Sequence, residues 1–106
     1  MLELVVFKLR DGVTREDLLA TADGVTHWAR RQPCFVSRDL SYSPEQDKWI
    51  DVVYWASLEH AHTAAVAAQT STDCAPMFGL IDMDSVEMLH GESAIAPAVA
   101  IAPAVA

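Results

Sequence analysis

A chain of 106 residues that is 52% apolar and 21% charged has the size and composition of one globular domain with a modest core. With 15 acidic residues against 7 basic ones and a formal charge of −8, neither nucleic acid nor an anionic membrane surface is an expected partner. No apolar run approaches the ~20 residues of a membrane span, and Met1-Leu2-Glu3 lacks the basic start of a signal peptide, so the expected location is cytoplasmic.

From Leu2 to Leu9 the chain alternates Leu2, Leu4, Val6 and Lys8 on one face with Glu3, Val5, Phe7 and Leu9 on the other. Both sets are largely apolar, the pattern of a central strand covered on two sides. Asp11-Gly12 turns the chain, and Thr14 stands as N-cap before the acids Glu16 and Asp17, where the helix dipole favours them. The helix should run to about Arg31, with Leu18, Ala22, Val25, Trp28 and Ala29 on its buried stripe and Asp23, His27 and Arg30 outward. Phe35 to Tyr42 reads as a second strand, with Phe35, Ser37, Asp39 and Ser41 opposite Val36, Arg38, Leu40 and Tyr42. Its one polar face marks an edge position.

A polar hairpin loop, Ser43-Pro44-Glu45-Gln46-Asp47, leads into a third strand from Lys48. There Ile50, Val52 and Tyr54 lie opposite Trp49, Asp51, Val53 and Trp55, and bulky residues on both faces again indicate a central strand. Ser57 caps a second helix whose stripe is Leu58, Ala61, Ala65 and Ala68, flanked by Ala64 and His62. Cys74 to Ile81, broken by Pro76 and Gly79, reads as a turn of helix and a covering loop, and Ser85 to His90 as the last strand. Residues 1–92 therefore form the domain. Residues 93–106 form a low-complexity tail in which Ile95 to Ala100 is repeated as Ile101 to Ala106, read as an extended segment or a duplication, or else as an arm that adds to a partner's sheet edge.

The order of elements gives a ferredoxin-like βαββαβ fold of the α+β class: a four-stranded antiparallel sheet, spatial order 4-1-3-2, with two helices on one face. The face carrying Ile50, Val52 and Tyr54 then lacks a cover. A second copy of the chain supplies one, and a homodimer is expected.

Asp51 is the central chemical candidate, because a carboxylate among Trp49, Val53 and Trp55 is pushed toward a higher pKa and can serve as a general base. The alternative is that it bonds to Trp28 Nε1, a histidine or loop amides and only orders the core. Glu3 could approach Asp51 or His90, and His62 could point into the space left by Ala61 and Ala65 as a second acid/base group. His60 and His62 diverge on a helix, so no metal site is expected. Cys34 and Cys74 have no adjacent base and read as free, inert thiols. Phe7, Trp28, Trp49 and Trp55 would wall an apolar pocket, covered by Cys74 and Phe78. Alanines on the second helix either let it pack close to the sheet or leave a cavity.

Leu4 to Thr14, the Gln32-Pro33-Cys34-Phe35-Val36 junction and Trp55-Ala56-Ser57-Leu58-Glu59 resemble the dimeric α+β barrel superfamily, in particular its antibiotic biosynthesis monooxygenase-like and stress-responsive A/B barrel domains. The resemblance covers residues 2–92. It implies a ligand pocket between helices and sheet and a cofactor-independent monooxygenase acting on an aromatic or polyketide-like substrate. The alternatives it leaves are a non-catalytic dimeric binding or structural module and a polyketide cyclase or isomerase. Haem-degrading members rely on an asparagine in the first strand, and this sequence contains no asparagine. Cyclase-like members would place a histidine where this chain has Cys74-Ala75-Pro76.

Overall fold

The computed structural model describes residues 1–95; apart from Ile95, the repeated tail lies outside the described residues. The elements follow the order β1 (Leu2–Leu9), α1 (Arg15–Arg30), β2 (Phe35–Ser43), β3 (Lys48–Trp55), α2 (Leu58–Ala68), α3 (Ala75–Phe78) and β4 (Ile81–Gly91). They form one 4-stranded sheet in the order β2-β3-β1-β4 with every pairing antiparallel. This is the expected 4-1-3-2 order, and the helices cover one face.

Local chemistry accounts for the ends of the helices. Thr14 Oγ1 accepts from the Asp17 amide at 3.1 Å while the Asp17 carboxylate accepts from the Thr14 amide at 3.0 Å, a complete capping box. Ser57 Oγ accepts from the His60 amide at 3.2 Å and starts α2 in the same manner. Within α1, Gly24 lies against the Asp73 carbonyl, which a Cβ would meet at 2.9 Å. The glycine lets the loop before α3 close onto α1.

Two strands depart from simple alternation. Between Phe35 and Ser37 the β2–β3 register shifts, so Phe35 pairs with Trp55 rather than continuing the polar face. Cys34, just before it, has a left-handed φ of 64°, which turns the chain into the sheet. Phe35 consequently meets Trp55 edge to face at a centroid distance of 5.8 Å. In β4 the strand starts at Ile81, four residues earlier than Ser85. A second register shift, between Val6 and Lys8, accommodates the extra residues; there the Lys8 amide donates to Ser85 Oγ at 2.8 Å and the ladder continues past the irregularity.

The core divides into two clusters. Phe7, Leu18, Ala22, Val25, Trp49, Cys74, Met77 and Ile81 pack beneath α1 and α3, and Val53, Trp55, Ala61 and Ala64 beneath α2. Trp28, half-buried, touches both. The buried side of α2 is centred on Ala61 and Ala64, with Leu58 36% exposed, so the stripe is rotated from the one expected. The methyl groups of Ala61 and Ala64 pack directly on Val53 and Trp55. Among the described residues no helix is long and apolar enough to cross a membrane.

Candidate functional site

Pairing across the sheet aligns the helix-facing side chains in rows. His90 on β4, Glu3 on β1, Val53 on β3 and Arg38 on β2 form one row, and Met88, Val5, Asp51 and Leu40 the next. Glu3 and Asp51 are therefore diagonal neighbours, and Arg38 and Asp51 are too. Over these rows, between the two core clusters, lies a cavity of about 260 Å³. Its walls include Phe7, Trp28, Trp55, Phe78, Ala64, Ala65 and Ala68, and its polar groups are Glu3, Arg38, Asp51 and Gln69. Met83 and Met88 line it as well and are 59% and 48% exposed, so it reaches the surface along β4.

Asp51 is buried, and it is paired. Arg38 grips it in a fork, Nε to Oδ1 at 3.0 Å and Nη2 to Oδ2 at 2.7 Å, with the two side chains only 4% and 13% exposed. Nη1 donates to the Ala22 carbonyl at 2.9 Å and to Thr26 Oγ1 at 2.8 Å on α1, and Nη2 also reaches Met77 Sδ at 3.5 Å. The partners suggested by the sequence, Trp28 Nε1, a histidine or loop amides, are replaced by an arginine across the hairpin. Nothing in the composition of β3 names Arg38. The available signal was an arginine on the otherwise apolar Val36/Leu40/Tyr42 face of β2, since a cation there requires a buried anion.

Glu3 is the second carboxylate of the cavity. Its Oε2 lies 3.0 Å from His90 Nε2, the two side chains being 12% and 18% exposed. Burial raises the Glu3 pKa above its ordinary value of 4.5, and Asp51 adds to the rise. The hydrogen bond and charge of His90, and more weakly the charge of His62, pull in the other direction without cancelling it. His62 stands on α2 with its ring perpendicular to that of His90 at a centroid distance of 4.7 Å.

Of the residues singled out in the sequence, Glu3, Phe7, Trp28, Asp51, Trp55 and Phe78 line the cavity, while Trp49, Cys74 and His62 do not. Trp49 sits one row further along the sheet, against Tyr42 at 4.9 Å and under the Arg15 guanidinium at 5.8 Å. Cys74 is fully buried in the α1 cluster, and burial pushes its thiol up, away from thiolate reactivity. His62 is exposed on the outer side of His90. The Trp55 Nε1 donor is buried with no partner among the described residues.

A larger, open depression of about 550 Å³ lies at the other end of the sheet, where Lys8, Arg10 and Arg15 face Asp11, Asp47 and Asp82. Its charges offset one another, and it lacks the apolar walls of the inner cavity. The inner cavity is the candidate site.

The chain has the fold of the antibiotic biosynthesis monooxygenase-like proteins, a ferredoxin-like α+β fold with its helices on one face of the sheet. SnoaB, a cofactor-independent oxygenase from Streptomyces nogalater, is similar with a TM-score of 0.68 at 12% identity, over 91% of this chain and 96% of that one. The monooxygenase from ActVA-Orf6 of Streptomyces coelicolor, solved with nanaomycin D, gives a TM-score of 0.57 at 19% identity over 92% and 91% of the two chains. A protein of Bordetella bronchiseptica with the provisional description antibiotic biosynthesis monooxygenase gives 0.70 at 13% identity over 89% and 96%. No family model and no curated protein matches the chain.

Proposed function

We propose that the protein is a cofactor-independent monooxygenase that binds a small hydroxylated aromatic between its helices and its sheet. The observation that carries this reading is the cavity of about 260 Å³, walled by Phe7, Trp28, Trp55 and Phe78, with two carboxylates at its sheet side. The fold shared with SnoaB and with the ActVA-Orf6 monooxygenase supports it. The volume falls just below the ~300–1,000 Å³ of pockets for drug-sized ligands, which favours one or two fused rings over a tetracycle.

In such a reaction a cavity base takes the phenolic proton, and the electron-rich ring then reduces dioxygen without a bound redox group. One oxygen atom becomes the new quinone carbonyl and the other leaves as water, so that 1-naphthol and O₂ give 1,4-naphthoquinone and H₂O. The aromatic walls hold the ring flat, and exclusion of water protects the reduced oxygen species from escape. Incubation with 1-naphthol and related phenols should consume oxygen and form the quinone absorbance in equal amounts. Saturable quenching of tryptophan fluorescence with no oxygen uptake would instead assign the cavity to a binding module.

The reading includes a homodimer through the open face of the sheet. Leu4, Val6, Ile50 and Val52 are only half-buried on that face, Tyr54 is 36% exposed and Leu89 66% exposed. Sedimentation at micromolar concentration should give twice the chain mass, and Val52→Asp should give the monomer. A wild-type monomer would remove the dimer from the proposal.

A further inference from the structure

Among the described residues the cavity contains two carboxylates, and only one of their four oxygens lacks a hydrogen-bond partner. Both oxygens of Asp51 are held by the Arg38 fork. Glu3 Oε2 is occupied by His90, whereas Glu3 Oε1 has no hydrogen-bond partner among the described residues. His90 comes from the outermost paired strand and is itself 18% exposed, and His62 on α2 closes over it from outside. The charged or titratable groups that act on Glu3 are therefore His90 from β4, Asp51 from β3 with its Arg38 from β2, and His62 from α2.

We propose that Glu3 is the ligand-facing base of the cavity, held by His90, with His62 a positioning residue that acts through His90. The proposal rests on the reading of the cavity as a site for a hydroxylated aromatic and names the group that receives its proton. The phenolic O–H breaks, its proton goes to Glu3 Oε1, and the electron pair stays on the phenolate oxygen. His90 keeps its Nε2–H on Oε2 throughout, which fixes the carboxylate plane and limits how far burial can favour the protonated acid. The raised Glu3 pKa agrees with this role, since burial makes the carboxylate a stronger proton acceptor than a solvated one. Asp51 then serves as the fixed counter-ion of Arg38, and the Glu3 carboxylate is the negative charge that keeps an anionic ligand out. Neutral phenols are accepted, and aromatic carboxylates are rejected.

The probe is 1-naphthol, titrated anaerobically by tryptophan fluorescence across the acid to neutral range. Wild-type affinity should strengthen as pH rises through the Glu3 titration, because only the carboxylate accepts the ligand's O–H, and Glu3→Gln should bind with no pH dependence in that range. His90→Phe removes the donor and the charge and should move the midpoint to higher pH, at a cost of about tenfold in affinity at fixed pH for each pH unit moved. His62→Phe should move it in the same direction by less. If His90→Phe does not fold, the imidazole nitrogen resonances of His90 in the wild type should show a step at the Glu3 midpoint that Glu3→Gln abolishes. Wild-type affinity that is flat with pH, a Glu3→Gln titration like the wild type, or naphthoate binding as well as naphthol overturns the proposal. Absence of naphthol binding overturns it together with the monooxygenase reading. pH-dependent binding without oxygen uptake removes the monooxygenase reading alone and leaves Glu3 as the acceptor.

Discussion

Arg38 and Asp51 illustrate how a single pairing decides what a residue can do. An isolated carboxylate at Asp51 would be a strong candidate base. Fixed in a two-point fork with its partner 4% exposed, it is first of all part of the frame. Removing one member of a buried pair leaves the other charge unbalanced, and Arg38→Met is expected to destabilise the fold by ~3–5 kcal/mol. Replacing both by apolar residues of similar volume should recover most of that loss, since two desolvated charges contribute little net stability. Chemical denaturation of the two single variants and the double variant measures the difference. Near-equal stability of wild type and Arg38→Met would show that the fork is not held in solution. The burial of Asp51 was legible from its position among aromatic residues. Its partner was not, because the pairing of β2 with β3 depends on the hairpin register, which composition leaves open.

At the scale of elements, the alanine face of α2 is the feature that makes a cavity possible. The sequence showed that this face was small, but two outcomes were physically open: close packing or a void. The structure has both: Ala61 and Ala64 pack against Val53 and Trp55, while Ala64, Ala65 and Ala68 line the cavity. α1 brings Leu18 and Val25, and α3 brings Met77, into the neighbouring cluster, so the space lies between the two. Ala65→Leu should therefore fill the space with little strain, leaving thermal stability unchanged or raised by ~0.5–2 kcal/mol as cavity-filling changes do. The same variant should lose binding of the aromatic probe. A fall in melting temperature with binding intact would mean that the side chain points elsewhere. The irregularity at Phe35 was hidden for a different reason: strict alternation assigns Phe35 to the polar face, and the register shift before Ser37 returns it to the helix-covered face.

For the whole molecule, two carboxyl groups act in opposite directions on stability. Asp17 has its pKa lowered by the Thr14 amide, so its contribution is present above its ordinary value of 3.8 and is lost as pH falls through the lowered one. Glu3 is raised, so the native state binds its proton more tightly than the unfolded chain does, and its contribution is present below 4.5 and lost as pH rises through the raised value. Thermal melts should show wild-type stability declining above pH 4.5 through this group, and Glu3→Gln should flatten that decline. A parallel slope in the variant would place the titrating group elsewhere. The strand order, the helix-covered face and most of the aromatic wall were legible in the sequence because alternation and capping are local signals. Glu3 beside His90 was one of the two approaches the sequence offered, whereas Arg38 with Asp51 was not legible, because that pair depends on how two strands register. Arg38 also gives the edge strand something an edge usually lacks. Through Ala22, Thr26 and Asp51 it ties β2 to α1 and to the centre of the sheet. Peeling β2 away would expose that cation and strand Asp51, so the edge opens only when the domain does. Its inner backbone amides should then exchange with solvent as slowly as those of β1, and the outermost strand on this side is protected by an interior charge rather than by a neighbouring strand.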